Sequence, residues 1–371
     1  MTTNDQQPAG TDPATERRDA LVARLFQATL GFFDVFAVYL GDQLGLYRAL
    51  AETGWATSSD LSARTGTDER YVREWLEQQA ASGIIEVENV GAAPEVRRFT
   101  LPAGHEEVLL DRESLSYMTA LARLAVSTAN PLQALVAAYR SGAGVPYMAY
   151  GADAREGIAD LNRPMFINLL GSTWLPAIPE VHARLQADPP ARVADIGCGA
   201  GWSSIAIARA YPTARVDGFD LDEASISNAR VNAQQARVSD RVRFEVRDAS
   251  APQLASKYDL VTAFETLHDM AHPVEALRMM RALLGQGGSV LIADERVAET
   301  FAAPADEIDR FNYGWSILHC LPASRTEPTS AATGTVMRPQ TLRRYAEEAG
   351  FKQVHVLPIQ NDFWRFYRLI P

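Results

Sequence analysis

Apolar and polar positions along the second half of this chain repeat one pattern: a short apolar run, an acid at its end, then a segment of helical period. Residues 192–208, RVADIGCGAGWSSIAIA, show it first. An apolar strand carries Asp195 near its end; Gly197, Gly199 and Gly201 follow at alternate positions, and a helical run begins at Ser203. The runs 215–219, 258–264 and 288–293 close on Asp220, Glu265 and Asp294, and the alternating run 242–246 is followed by Arg247 and Asp248. Residues 223–235 and 274–284 read as helices between them. Strands alternating with helices predict βαβ units, an α/β fold and a mostly parallel sheet, with ligands at the carboxyl ends of its strands. A last helix, 341–349, stops at Gly350, and strands 352–357 and 363–369 follow, turning around Gln360 and Asn361, which predicts an antiparallel closing hairpin.

The first half is patterned differently. Residues 18–50 read as strongly apolar helices, 58–65 as a short helix after cap-like Thr57, and 68–82 as a second helix. Its predicted inner side is Tyr71, Val72, Trp75, Leu76, Gln79 and Ala80. Two strands, 84–88 and 96–101, complete a helix–turn–helix–hairpin order, the winged-helix pattern. Residues 115–185 read as connecting helices with breaks at Pro131 and Pro164, from which Tyr147, Met148, Tyr150, Phe166 and Trp174 could line a pocket. The predicted organisation is a mobile tail over 1–16, a winged-helix domain over 17–112, a helical connector roofing the active site over 113–184, and a catalytic domain over 185–371.

Charge narrows the choice of partner. The net charge of −11 over 371 residues disfavours nonspecific attraction to nucleic acid or anionic membrane. A groove-reading helix needs a basic footprint. The 68–82 helix instead sets Asp68, Glu69, Glu74 and Glu77 against Arg70 and Arg73, and the hairpin sets Glu86, Glu88 and Glu95 against Arg97 and Arg98. No apolar run is read as reaching membrane-spanning length, and no secretory leader is read. Two cysteines, Cys198 and Cys320, make no disulfide framework, so a cytoplasmic location is expected.

The glycine turn selects a cofactor class. A dinucleotide fingerprint, G-x-G-x-x-G, would need its third glycine where Trp202 stands. An acid before the first glycine suits a ligand that carries positive charge and no phosphate. The acid-x-G-x-G-x-G run resembles the first motif of the class I S-adenosylmethionine-dependent methyltransferases. The resemblance covers roughly residues 185–371. It implies S-adenosylmethionine in a cradle of Asp195, Gly197, Cys198, Gly199, Gly201 and Trp202, with Asp220 and its neighbour Leu221 at the ribose. It further implies Asp248 and Ala249 at the adenine, with Phe264 and Glu265 after the fourth strand.

Acceptor chemistry rests on other residues. Residues 264–270, FETLHDM, resemble the Leu-His-Asp-Trp motif of the winged-helix small-molecule O-methyltransferases, with Met270 replacing the tryptophan. That resemblance implies His268 as general base for an acceptor hydroxyl, and a dimerising winged-helix domain with Phe32, Phe33, Phe36 and Tyr39 at its surface. Glu295 is the expected carboxylate to orient His268, and Asp269 the expected cap of the next turn. Residues 299–338 form a long connection, expected to be a lid whose Phe311, Tyr313, Trp315, His319 and Met337 face a largely apolar acceptor. His319 is a second base candidate. His319 and Cys320 have no further ligand at suitable spacing, so no metal is expected, although Glu265, Asp269, Asp294 and Glu295 could gather around magnesium. Transfer to nitrogen or carbon, and a winged-helix DNA-binding regulator, remain the alternative functions.

Overall fold

The computed structural model describes residues 12–248 and 257–371. Most of the expected tail and the candidate Ala249 lie outside them; the tail's last residues, from Pro13, already belong to a helix. The chain divides into two compact units, residues 1–110 and 111–371.

The first unit begins with α1 (Pro13–Gln43), capped by Asp12. Then come α2 (Leu46–Thr53), α3 (Ser58–Thr65) and α4 (Glu69–Ala81). Thr57 and Asp60 form a reciprocal capping box at α3, and Asp68 caps α4. Strands β1 (Glu86–Glu88) and β2 (Arg98–Thr100) pair antiparallel as the wing, and α5 (His105–Leu109) follows. Leu50, Leu61, Val72, Leu76 and Phe99 pack as the unit's core. Tyr71, expected inside, is 81% exposed, because the buried stripe of α4 runs through Val72, Trp75, Leu76 and Gln79 and leaves Tyr71 on its flank. Arginines of this helix and wing are matched with acids: Arg70 with Glu74, Arg73 with Glu69 and Glu95, Arg97 with Glu77, Arg98 with Glu88.

Helix α1 corrects one expectation. It is long and apolar enough, by length and composition, to cross a membrane. Leu21, Val22, Leu25, Phe26, Phe32 and Phe33 are each more than half exposed along it.

In the second unit a seven-stranded sheet carries the site. Its strands are β3 (Arg192–Ile196), β4 (Arg215–Asp220), β5 (Val242–Val246), β6 (Tyr258–Phe264), β7 (Leu284–Glu295), β8 (Gln353–Val356) and β9 (Trp364–Ile370). They lie in the order β5-β4-β3-β6-β7-β9-β8, with β9 antiparallel to both neighbours and the other pairs parallel. The strand expected at 288–293 is extended at both ends, with an irregularity opposite Tyr258 and Leu260. The connecting helices α6 (Thr119–Ser127), α7 (Leu132–Ser141), α8 (Ala152–Met165) and α9 (Pro179–Gln186) precede the sheet. Pro164 does not end α8; the helix carries on as a π-helical turn over Phe166–Trp174, a wider winding that tolerates a disrupted hydrogen-bond ladder.

Helices α10 (Trp202–Ala210) and α11 (Glu223–Gln235) cover one face, where Leu170, Trp174, Ile205, Val216, Ile226 and Phe366 form a core. On the other face lie α12 (Pro273–Leu283) and, after α13 (Glu307–Trp315) and α14 (Leu321–Ser324), α15 (Pro339–Glu348). Leu277, Met280, Ile292, Leu342 and Ala346 fill that side. Burial on both faces explains why β3, β6 and β7 read as nearly unbroken apolar runs. It also leaves the carboxyl ends of β3, β4 and β6 as the sheet's open edge.

Candidate active site

The loop after β3 turns tightly and packs its backbone closely against neighbouring segments. Gly197, Gly199 and Gly201 have φ of 67°, 50° and 82°, the left-handed region that side chains rarely adopt. A Cβ on Gly197 would lie 2.7 Å from the Thr266 Cβ, and one on Gly201 2.5 Å from the Phe244 ring. The Gly197 and Cys198 N–H groups donate to the Phe219 carbonyl, and Gly199 N–H donates to Asp220 Oδ2 at 2.8 Å. The turn is thereby tied to the end of β4.

Asp195 does not meet a ligand as expected. It is 1% exposed and lies beneath the loop. Its Oδ2 accepts from the Ser203 and Ser204 hydroxyls, both at 2.6 Å, and its Oδ1 from Thr262 at 2.7 Å. Burial pushes this carboxyl above the usual range, and the three hydroxyl donors pull it back. Asp195 therefore locks β3 to β6 and to the start of α10, and so fixes the glycine turn.

Above the turn opens a cavity of about 570 Å³, a size ordinary for a small-molecule site. Gly197, Cys198, Gly199 and Trp202 line it from the first loop. Asp220, Leu221 and Asp248 line it from β4 and β5, and Phe264 and Glu265 from β6. Gly201 shapes the turn from behind, as the N-cap of α10. Asp220 also accepts from Asp222 N–H at 2.9 Å, and burial raises its carboxyl despite these backbone donors. A carboxylate oxygen keeps a second lone pair, so Asp220 can still receive two vicinal hydroxyls. Loop and acid together fit a nucleoside that needs close backbone approach and carries no phosphate.

From the connector, Tyr147, Met148 and Phe166 reach the cavity. Tyr150 and Trp174 do not: Tyr150 Oη donates to the Leu318 carbonyl, and Trp174 packs on Trp364 and Phe366 at 5.5 and 4.9 Å. Asn162, which the sequence reading missed, lines the cavity and donates through Nδ2 to Glu265 Oε2. Glu265 sits in a left-handed conformation, φ 51°. Its carboxyl lies within hydrogen-bonding reach of Glu295, and burial with mutual repulsion holds Glu295 well above the usual carboxylate range.

His268 stands on the short turn Leu267–Asp269, 2% exposed, immediately behind the cavity wall that Asp269 and Met270 provide. Its Nδ1 is 2.7 Å from Asp294 Oδ1, so Asp294 orients it, rather than Glu295. Side chains on a strand alternate between faces, and Glu295 turns instead to Glu265. Asp269, expected as a cap, lies with Oδ1 3.4 Å from His268 Nε2. Burial alone would push the imidazole down; the charges of Asp294 and Asp269 and the Asp294 hydrogen bond outweigh it and hold His268 well above its ordinary value.

His319 is buried against the edges of Tyr150 and Tyr147, at 4.4 and 5.6 Å between ring centres. Its Nδ1 is 3.4 Å from Cys320 Sγ, and its Nε2 has no hydrogen-bond partner among the described residues. Burial pushes its imidazole below the ordinary histidine value. The expected aromatic lid is corrected here. Trp315 packs on the cluster of Leu124, Leu135 and Tyr150, Phe311 on Phe363, and Tyr313 Oη accepts from Arg338. The same segment lines the cavity with Ala323, Ser324, Thr326 and Glu327.

Comparison with known proteins agrees with this geometry. Residues 187–350 match the family described as "Methyltransferase domain", and residues 35–112 match "Rv2258c-like winged HTH domain". An acetylserotonin O-methyltransferase from Mus musculus molossinus is 26% identical over 78% of this chain and 77% of its own length. The crystal structure of human N-acetylserotonin methyltransferase in complex with SAM superposes with a TM-score of 0.70, 17% identity, and coverage of 98% of this chain and 99% of that one. Mitomycin 7-O-methyltransferase superposes with a TM-score of 0.68, 20% identity, and coverage of 96% and 99%. The glycine cradle, the acid at the end of β4 and the two matched domains lead to one assignment: residues 187–350 are an S-adenosylmethionine-dependent methyltransferase domain, preceded by a winged helix-turn-helix domain over 35–112.

Proposed function

We propose that the chain transfers a methyl group to a hydroxyl of a small, largely apolar or aromatic metabolite, with His268 as the base. The observation that carries this reading is the His268–Asp294 pair, set directly behind the wall of the cavity that Asp220 and the glycine turn also line. Two of the similar proteins, acetylserotonin O-methyltransferase and mitomycin 7-O-methyltransferase, are named for transfer to oxygen, which supports oxygen as the acceptor atom. Met148, Ile158, Phe166 and Met270 give the cavity its apolar share.

S-adenosylmethionine supplies a methyl on a sulfonium, open to in-line displacement. Gly197 and Gly199 let the backbone approach the donor, Asp220 receives the ribose hydroxyls, and Asp248 stands toward the base. Asp269 borders both the cavity and His268 Nε2, and so stands between the acceptor site and the imidazole. His268 would take the proton of the acceptor hydroxyl as the donor leaves as the neutral thioether, and Asp294 would stabilise the imidazolium. His319 is the second base candidate, set further back against Tyr147 and Tyr150.

The pH dependence tests this. His268 is held protonated above its ordinary range, and only the unprotonated ring accepts a proton. Transfer of labelled methyl to a panel of hydroxylated aromatics therefore rises about tenfold per pH unit on the acidic side and levels only in the alkaline range. A rate flat from neutral to alkaline pH would remove His268 as base.

The exposed apolar length of α1 supports a homodimer, a second copy covering Phe26, Phe32 and Phe33. Sedimentation of the full chain is expected to give a dimer that Phe32→Glu with Phe33→Glu dissociates; an unshifted mass would refute this. A DNA-reading role for the winged helix is disfavoured by the carboxylates that engage its arginines. Two buried free thiols suit a reducing cytoplasm.

A further inference from the structure

The spacing of residues along the chain offers Cys320 no metal partners beyond its neighbour, but the fold supplies them. A ring nitrogen of His268, a carboxylate oxygen of Asp269 and Cys320 Sγ all lie within 4.8 Å of one another. His268 Nε2 and Asp269 Oδ1 are 3.4 Å apart. That is too long for a charged N–H···O bond, about 2.7–2.9 Å. It is the separation of two ligand atoms that each sit about 2.0–2.1 Å from a tetrahedral metal, roughly 3.3–3.4 Å. Asp269 Oδ1 is itself buried and accepts no hydrogen bond from the described residues. Behind the imidazole, Asp294 Oδ1 holds Nδ1 at 2.7 Å and also accepts from Glu295 N–H at 2.9 Å. A fixed carboxylate behind a histidine is the usual support of a metal-binding ring, since it sets the tautomer and aims the free nitrogen.

We propose that His268, Asp269 and Cys320 form a three-ligand site for a divalent transition metal of the Zn²⁺ class, with its fourth position open toward the cavity that Asp269 lines. One imidazole, one thiolate and one carboxylate match zinc or cobalt; magnesium and calcium take oxygen ligands. The ligands bind in their deprotonated forms, so the metal enters by displacing protons from Cys320 and from His268 Nε2 to solvent. Occupancy and proton acceptance by His268 exclude each other, because both use Nε2. The metal is thus an inhibitor of base-assisted transfer, a property beyond the methyl-transfer reading.

Cobalt reports the site without turnover. Co²⁺ added to the full chain is expected to give a near-ultraviolet thiolate-to-metal band and the visible bands of a tetrahedral ion, both lost on adding Zn²⁺. Cys320→Ser abolishes the near-ultraviolet band while still binding S-adenosylhomocysteine, which shows that the variant is folded. Cys198→Ser keeps the band, and Asp294→Asn weakens Co²⁺ affinity by about 10–100-fold. Methyl transfer falls as the band grows and returns with a chelator. No band in the parent chain, or a band that survives in Cys320→Ser, would overturn the site. Failure of the absorbance leaves the base reading intact, and a pH-independent transfer rate leaves the metal site intact.

Discussion

His268→Ala lowers kcat by about 10²–10⁴-fold, the range a positioned general base supplies, and leaves affinity for S-adenosylhomocysteine unchanged. The imidazole is not on the cofactor cradle: it lies behind Asp269 and Met270, held by Asp294 from the far side. KM for the acceptor stays near the parent value, because the ring acts on the proton and the acceptor's body lies on other residues. The alanine variant also strands the Asp294 carboxylate, which is 1% exposed, and an unpaired buried charge costs about 3–5 kcal/mol of stability. His268→Gln is the needed companion. It keeps a donor toward Asp294, so it should fold like the parent, and it cannot take the proton at neutral pH. Steady-state kinetics on both variants check the assignment. Parent-like kcat in His268→Gln would transfer the role to His319, whose lowered value makes it a weaker base.

Gly197→Ala is expected to lower cofactor affinity at least about tenfold, through two additive faults. Left-handed φ costs a residue with a Cβ about 1–2 kcal/mol, and the new methyl overlaps Thr266. The overlap meets the Thr266 Cβ and Cγ2 as well as its hydroxyl, so rotating the side chain gives no relief. The loop must move, and with it the Gly199 N–H that binds Asp220. Gly287→Ala is the matched control. Its φ of 78° imposes the same backbone cost, but a Cβ there meets nothing within 4 Å, so stability falls slightly and cofactor affinity holds. Calorimetry on the two variants separates conformational strain from loss of the cradle. Equal affinities would show that the close approach at Gly197 is unimportant.

The parts of this protein that were legible in its residues are those with local causes. The strand-to-helix glycine turn, Asp220 one strand later and the closing hairpin each follow from a short run of neighbours whose spacing has one physical reading. Caps at Thr57 and Asp68 are of the same kind. What escaped depends on which face an element presents. Asp294 and Glu295 are adjacent on β7, and only the placement of β6 decides which meets His268 and which meets Glu265. Asp195 looked like a ligand contact because its partner Thr262 comes from another strand. The aromatic residues of α13 were read as a lid from composition, although that helix turns Trp315 into the cluster of Leu124 and Leu135. Pro164 was read as a break because local geometry forbids an ordinary helical bond there, and the π-helical winding that absorbs it leaves no local mark.

Titration of S-adenosylhomocysteine into the parent chain and into Asp220→Ala, followed by calorimetry, tests the cradle most directly. Two hydroxyls bonded to one carboxylate contribute about 1.5 kcal/mol each, so the parent should bind and the variant should bind about 10²-fold more weakly with its fold intact. A folded Asp220→Ala chain that binds the nucleoside as tightly as its parent would contradict the placement of the donor at the end of β4.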